Sequence, residues 1–179
     1  MNNIYPSNIN KLLIHPSNRK LIASLRQNAY DTCRTKIGPQ YIHTAFNNFK
    51  RGYYYTNDKA EILGFSIWKE NNVLQKDDTL FKKLHIILIC ADYNDYKLGR
   101  KILFDIDSYS IDNKFLFITL QAANNILVKY YQHGGFILID KDTREMKKEV
   151  KIIKIYKTSK TRKLKQEKVN SISLEEYNI

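Results

Sequence analysis

Two short stretches hold the residues best suited to chemistry. In the first, the apolar run Leu84 to Ala91 passes through a polar bend, Asp92-Tyr93-Asn94-Asp95. It then enters a helical pattern that begins Tyr96, Lys97, Leu98, Gly99, Arg100. A helix start presents unpaired backbone N–H groups and about half a unit of positive charge. A strand feeding chain into that end makes an anion site, with phosphate the natural ligand. The amides of Tyr96 to Arg100 would build it, Gly99 would admit close backbone approach, and Lys97 and Arg100 would add charge. An ordinary strand–helix junction fits the same residues. The second stretch, Asn124 to Phe136, reads NNILVKYYQHGGF. As structure it is a capped helix that stops at Gly134-Gly135.

Periodicity predicts the elements that must position these residues. Lys11 to His15 forms a first strand (β1), broken by Pro16-Ser17-Asn18. Leu21, Ile22, Leu25 and Ala29 recur at helical spacing, giving a helix (α1) from about residue 19 to 34. After Gly38-Pro39, the positions Tyr41, Ile42, Ala45, Phe46 and Phe49 give a second helix (α2). Tyr53 to Tyr55 (β2) and Ile62 to Trp68 (β3) flank the turn Asn57-Asp58-Lys59 and predict an antiparallel hairpin. Asn71-Asn72 and Lys76-Asp77-Asp78 read as polar loops.

Leu84 to Ala91 (β4) is the most apolar strand and is expected at the centre of the sheet. Leu98, Ile102, Leu103 and Ile106 line one face of a helix (α3) that ends at Asp112-Asn113. Phe115 to Leu120 (β5), a helix over about 124 to 132 (α4) and Phe136 to Ile139 (β6) follow. A charged loop from Asp140 to Glu149 then leads to a last strand, Val150 to Lys157 (β7). Strict alternation puts His85 and Ile89 on one side of β4. The order predicts one α/β (α+β) domain over residues 1–157, with a basic, flexible tail over 158–179.

Taken together, the two chemical stretches resemble the GNAT acetyltransferase superfamily. Its second segment commonly reads N-x-x-A-x-x-L/F-Y-E-x-x-G-F. Asn124, Leu127 in the small apolar slot, Tyr130, Tyr131 and Gly135-Phe136 follow it. Its phosphate pattern, Q/R-x-x-G-x-G/A, is kept at Gly99, while Lys97 stands at the first glycine and Asn94 at the Gln/Arg. The predicted strands from about residue 50 to 157 follow the family order.

The resemblance implies a mixed, mostly antiparallel sheet splayed between β4 and β5 and flanked by helices. It implies an N-acetyltransferase that moves acetyl from acetyl-CoA to a primary amine of a small molecule or protein. Carried over residue by residue, the backbone of Ile89 and Ala91 would pair with the pantetheine arm. The amides of Tyr96, Lys97, Leu98, Gly99 and Arg100 would hold the pyrophosphate. Asn124 would touch the pantetheine or cap its helix. Tyr131 would be the acid for the leaving thiolate. The amine must lose a proton. His85 is the candidate base, since an imidazole titrates near neutrality; Glu70 and Asp92 are weaker candidates. The acceptor would be bounded by about Thr35 to Phe49 and Asp140 to Glu149.

Composition limits the alternatives. The 179 residues carry 30 Lys and Arg against 18 Asp and Glu, a net charge of +12. That excess favours polyanions, and the tail is a candidate for such contacts. A basic nucleic-acid-binding protein is therefore a rival reading, as is a GNAT-like CoA-binding module without turnover. The longest unbroken apolar run, Ile86 to Ala91, is far shorter than the roughly 20 residues a membrane-spanning helix requires. No membrane partner is expected, and a homodimer stays open. Cys33 and Cys90 are too few for a disulfide framework or a zinc site, so no metal and a reducing, cytoplasmic setting are expected.

Overall fold

The computed structural model describes residues 9–33, 37–74, 80–91 and 96–150. In chain order the elements are β1 (Asn10–Ile14), α1 (Arg19–Cys33), α2 (Pro39–Asn48), β2 (Arg51–Thr56), β3 (Ile62–Leu74) and β4 (Leu80–Ala91). They continue with α3 (Tyr96–Asp112), β5 (Phe115–Gln121), α4 (Asn125–His133), β6 (Ile137–Asp140) and β7 (Glu145–Glu149). The strands form one sheet in the order β1-β2-β3-β4-β5-β7-β6. Every neighbouring pair is antiparallel except β4 and β5. This is the predicted mixed sheet, with β4 at its centre.

Local chemistry explains the helix ends. The Asn18 side chain accepts the Leu21 N–H at 3.1 Å and starts α1. Pro39 opens α2, where a fixed φ and a missing N–H cost nothing. Asn124 accepts the Leu127 N–H at 3.0 Å and caps α4. Gly135, at φ 83°, supplies the left-handed residue that turns the chain toward β6.

Each sheet face carries its own core. On one face, Trp68, Leu84, Ile86, Ile118 and Leu120 pack with Leu98, Ile102 and Ile106 of α3 and with Tyr131 of α4. On the other, Phe65, Ile67, Leu88 and Cys90 pack under Leu25 and Ala29 of α1 and Ile42 and Phe46 of α2. Burying each large aliphatic side chain contributes about 1.5–3 kcal/mol. A buried carboxylate, Asp105 on α3, locks that helix to the sheet. It accepts the Tyr55 hydroxyl at 2.9 Å and pairs with Lys11 at 3.0 Å and Lys101 at 3.4 Å.

Four sequence expectations need correction or fall outside the described residues. Asn71 and Asn72 are not loop: they pair with Lys83 and Lys82 in the long β3–β4 ladder. The charged stretch after β6 is a turn only over residues 141–144. It folds back as β7, which inserts between β5 and β6 with Met146 turned into the core. Residues 151–157, and the tail over 158–179, lie outside the described residues. Cys33 and Cys90 are joined in a disulfide that ties the end of α1 to β4, their Cα atoms 6.1 Å apart. The reducing setting inferred from their number has no support in this geometry. Among the described residues no helix is long and apolar enough to cross a membrane.

Candidate functional site

The site begins with a failure of strand pairing. β4 and β5 pair in parallel only from Lys82↔Phe115 to His85↔Thr119. Past that point β5 keeps only its pairing with β7, through Leu120↔Met146 and Gln121↔Glu145, while β4 continues to Ala91 beside β3. Among the described residues the β5-facing edge of β4 from Ile86 onward therefore has no strand partner. Backbone groups on such an edge need an outside partner, and an extended amide-bearing ligand supplies one.

A bulge sits at the point of divergence. Trp68 pairs with Ile86 and Ile67 with Leu88, so Ile87 has no opposite residue on β3. One extra residue reverses side-chain parity along the rest of the strand. Leu84 and Ile86 belong to the core under α3, whereas Leu88 and Cys90 belong to the core under α1 and α2. The expectation that His85 and Ile89 share a side is therefore wrong. His85 faces α2, and Ile89 packs toward α3 and α4.

A cavity of about 540 Å³ fills the gap between the parted strands. Ile86 to Ile89 and Ala91 line it from β4, with Leu120, Gln121 and Ala122 from β5. Gly99 closes one end in the first turn of α3, and Tyr130 and Tyr131 form a wall from α4. The fit at Gly99 is tight. A Cβ there would lie 2.7 Å from the Tyr130 hydroxyl, so only glycine leaves both the helix start and the tyrosine in place. Tyr131 stacks edge-on against Tyr130 and Phe136, with centroids 5.4 and 5.9 Å away. Burial, then the nearby Tyr130 and Tyr41 hydroxyls, hold its phenol well above the usual value, so it keeps its proton at neutral pH.

A second, smaller cavity of about 200 Å³ adjoins the first across Tyr41 and Ile87, which line both. Its other walls are Thr44, Ala45 and Asn48 of α2, Lys69 of β3 and His85 of β4. The Tyr41 hydroxyl donates to the Ile87 carbonyl at 2.8 Å and so occupies the bulge. His85 Nδ1 lies 2.9 Å from Thr119 Oγ1. Burial, then the charges of Lys69 and Lys83, pull the imidazole down to about 4. It is therefore neutral at pH 7 but a weaker base than the near-neutral imidazole expected from the sequence, and it accepts a proton only where the ring nitrogen facing the cavity is the unprotonated one.

The proposed site residues divide clearly. Ile89, Ala91, Gly99 and Tyr131 line the large cavity, and His85 lines the adjoining one. Asn124 caps α4, the second of its two expected roles. The Leu98 side chain is buried in the core, Lys97 is exposed, and neither it nor Arg100 lines either of these two cavities. Tyr96 opens α3. Asp92 and the rest of the bend 92–95 lie outside the described residues. Glu70 is drawn away from the site: it accepts the Tyr109 hydroxyl at 2.7 Å and pairs with Arg51 at 3.3 Å. Sequence reasoning read Tyr41 as a helix position and Tyr130 as part of the family segment without assigning either to the site, and it passed over Arg144. Arg144, in the tight turn before β7 at φ 54°, donates from Nε to the Ala122 carbonyl at 3.0 Å and lines the large cavity.

No protein-family model and no curated protein sequence matches the chain. Solved structures do. Tetrahymena GCN5 matches with a TM-score of 0.59 at 12% identity, over 80% of this chain and 98% of that one. The paiA N-acetyltransferase of Thermoplasma acidophilum, in complex with coenzyme A, gives 0.55 at 16% identity, over 79% and 99%. The GNAT family N-acetyltransferase YhbS of Escherichia coli, in complex with CoA, gives 0.59 at 11% identity, over 80% and 82%. This chain has the GNAT fold.

Proposed function

We propose that this GNAT-fold chain is an N-acetyltransferase that uses acetyl-CoA and takes a primary amine as acceptor. The observation that carries the reading is the unpaired edge of β4 opening on a cavity that ends at the first turn of α3. An elongated ligand with backbone-like amides at one end and phosphates at the other fits that sequence of surfaces. The two structural neighbours bound to coenzyme A share the fold and support the choice of ligand.

On this reading the β4 backbone at Ile89 and Ala91 holds the pantetheine amides. The first-turn amides of α3, Tyr96 to Arg100, hold the phosphates, with the helix dipole favouring the negative charge. Gly99 lets phosphate approach the backbone while Tyr130 packs behind it. Bound acetyl-CoA supplies the activated acyl group, as a thioester. Tyr131 Oη, protonated at neutral pH, is the proton donor to the departing sulfur. His85, neutral and one cavity away, removes the proton from the incoming amine, directly or through water. Tyr41 stands between the two cavities and orients the amine toward the point where β4 and β5 part.

The test is thiol release. Purified protein mixed with acetyl-CoA and a panel of primary amines is expected to liberate free CoA with at least one of them. Absence of release across amino acids, amino sugars, polyamines and peptides would overturn the enzymatic reading.

A further inference from the structure

This inference rests on the acetyltransferase reading and concerns the acceptor. Cross-strand register places four side chains in one row on the sheet face beneath α2. Lys69 pairs with His85, His85 with Thr119, and Thr119 with Lys147. Residues directly opposite each other share a face and lie about 5 Å apart at Cβ. The small cavity stands over the Lys69 and His85 end of that row. Lys147 lies further along, its Nζ 3.5 Å from the centroid of the Phe117 ring.

The charge around the amine's entry is one-sided. Among the described residues, no Asp or Glu lines either cavity, whereas Lys69 lines the small one and Arg144 the large one. Lys83 adds a third positive charge close enough to act on His85. The acids of the same face, Glu145 and Glu149, sit on β7 opposite Gln121 and Phe117, away from the Lys69 end. A polyamine, an aminoglycoside-like amine or a lysine-rich peptide brings extra cations to this entry and finds no carboxylate among the described lining residues. An acceptor with an anionic group near its amine finds Lys69.

We infer that the acceptor is an amine carrying a carboxylate or phosphate within a few bonds of the nucleophilic nitrogen, and that Lys69 is the residue that selects it. With the anion on Lys69, the amine reaches past Tyr41 toward the parting of β4 and β5, with His85 beside it. A bound anion also offsets the cations that depress the imidazole, so the correct acceptor strengthens the base that activates it.

The experiment measures kcat and the acceptor KM by thiol release for three acceptor arms at saturating acetyl-CoA, and KM for acetyl-CoA in a second series at saturating acceptor. The arms are β-alanine and glutamate (carboxylate), O-phosphoethanolamine (phosphate), and spermidine with a lysine-rich peptide (cationic). The account expects kcat/KM in one anionic arm about tenfold or more above the cationic arm, the scale of one charge-assisted contact. The better anionic arm identifies the group. Lys69→Glu should raise KM for that acceptor about tenfold while leaving KM for acetyl-CoA unchanged, and Lys69→Arg should largely restore it. Faster turnover of spermidine or the basic peptide, or an acceptor KM indifferent to Lys69→Glu, overturns the inference and leaves the acetyltransferase reading standing. No release above the amine-free background in any arm overturns both.

Discussion

At the scale of single residues, three positions carry separate and measurable duties. Tyr131 keeps its proton because burial holds its phenol up. Tyr131→Phe retains the packing against Tyr130 and Phe136 and removes only the hydroxyl. It is expected to lower kcat about a hundredfold, within the usual range for a lost general acid, while KM for acetyl-CoA moves by less than about threefold. An unchanged kcat would remove the assignment. Gly99 has the opposite signature. A methyl at this position meets the Tyr130 hydroxyl, the far end of a side chain that can move. Gly99→Ala should therefore fold and should weaken acetyl-CoA binding by about tenfold, read by calorimetry beside a near-normal melting temperature.

His85 gives a pH prediction whose sign is fixed. Its folded pKa, about 4, lies below the unfolded value of 6.5. Between those limits the unfolded chain binds more protons, so stability falls as pH drops from 6.5 toward 4. Chemical denaturation at a series of pH values should show that slope, and His85→Gln should flatten it. An equal slope in both proteins would contradict the buried, neutral imidazole.

At the scale of elements, the sequence was legible where burial and periodicity agreed. The helices had one clear period, β4 a continuous apolar run and the β2–β3 hairpin its aromatic content and turn, and the element order follows from them. Legibility ended where neighbours decide. β7 reads EMKKE, and its single core residue, Met146, gives too little apolar signal to announce a strand. The Ile87 bulge has no composition at all to mark it, since it lies inside a continuous apolar run; only the pairing with β3 reveals it. That one residue moved His85 to the other face of the sheet and into a different cavity. The disulfide was missed for a related reason: a separation of 57 residues says nothing until α1 is laid across β4.

The disulfide also yields an element-scale prediction. Closing a loop of that length removes unfolded-state entropy worth on the order of 4 kcal/mol in the chain-entropy account. Reduction under native conditions, or Cys33→Ser with Cys90→Ser, should lower the melting temperature by about 10 °C. Because Cys33 and Leu88 also line the large cavity, the reduced protein should bind acetyl-CoA more weakly as well as melt earlier. Identical melting curves with and without reductant would show that the bond does not bear on the fold.

At the scale of the whole molecule, the design is a sheet opened at its centre. The strands outside β4 and β5 are paired, and helices cover both faces around the opening. The chain as a whole carries a net charge of +12, and its cleft is read as a site for a phosphate-rich ligand. Attraction of that kind is screened by salt, so acetyl-CoA affinity should fall severalfold between low and high ionic strength. The most direct test of the central claim is a calorimetric titration of the purified chain with acetyl-CoA at low salt. The account predicts one saturable site per chain in the micromolar range, lost in Gly99→Trp, whose indole needs the space that Tyr130 occupies. No binding heat up to high micromolar acetyl-CoA, over a range of temperatures, would contradict it.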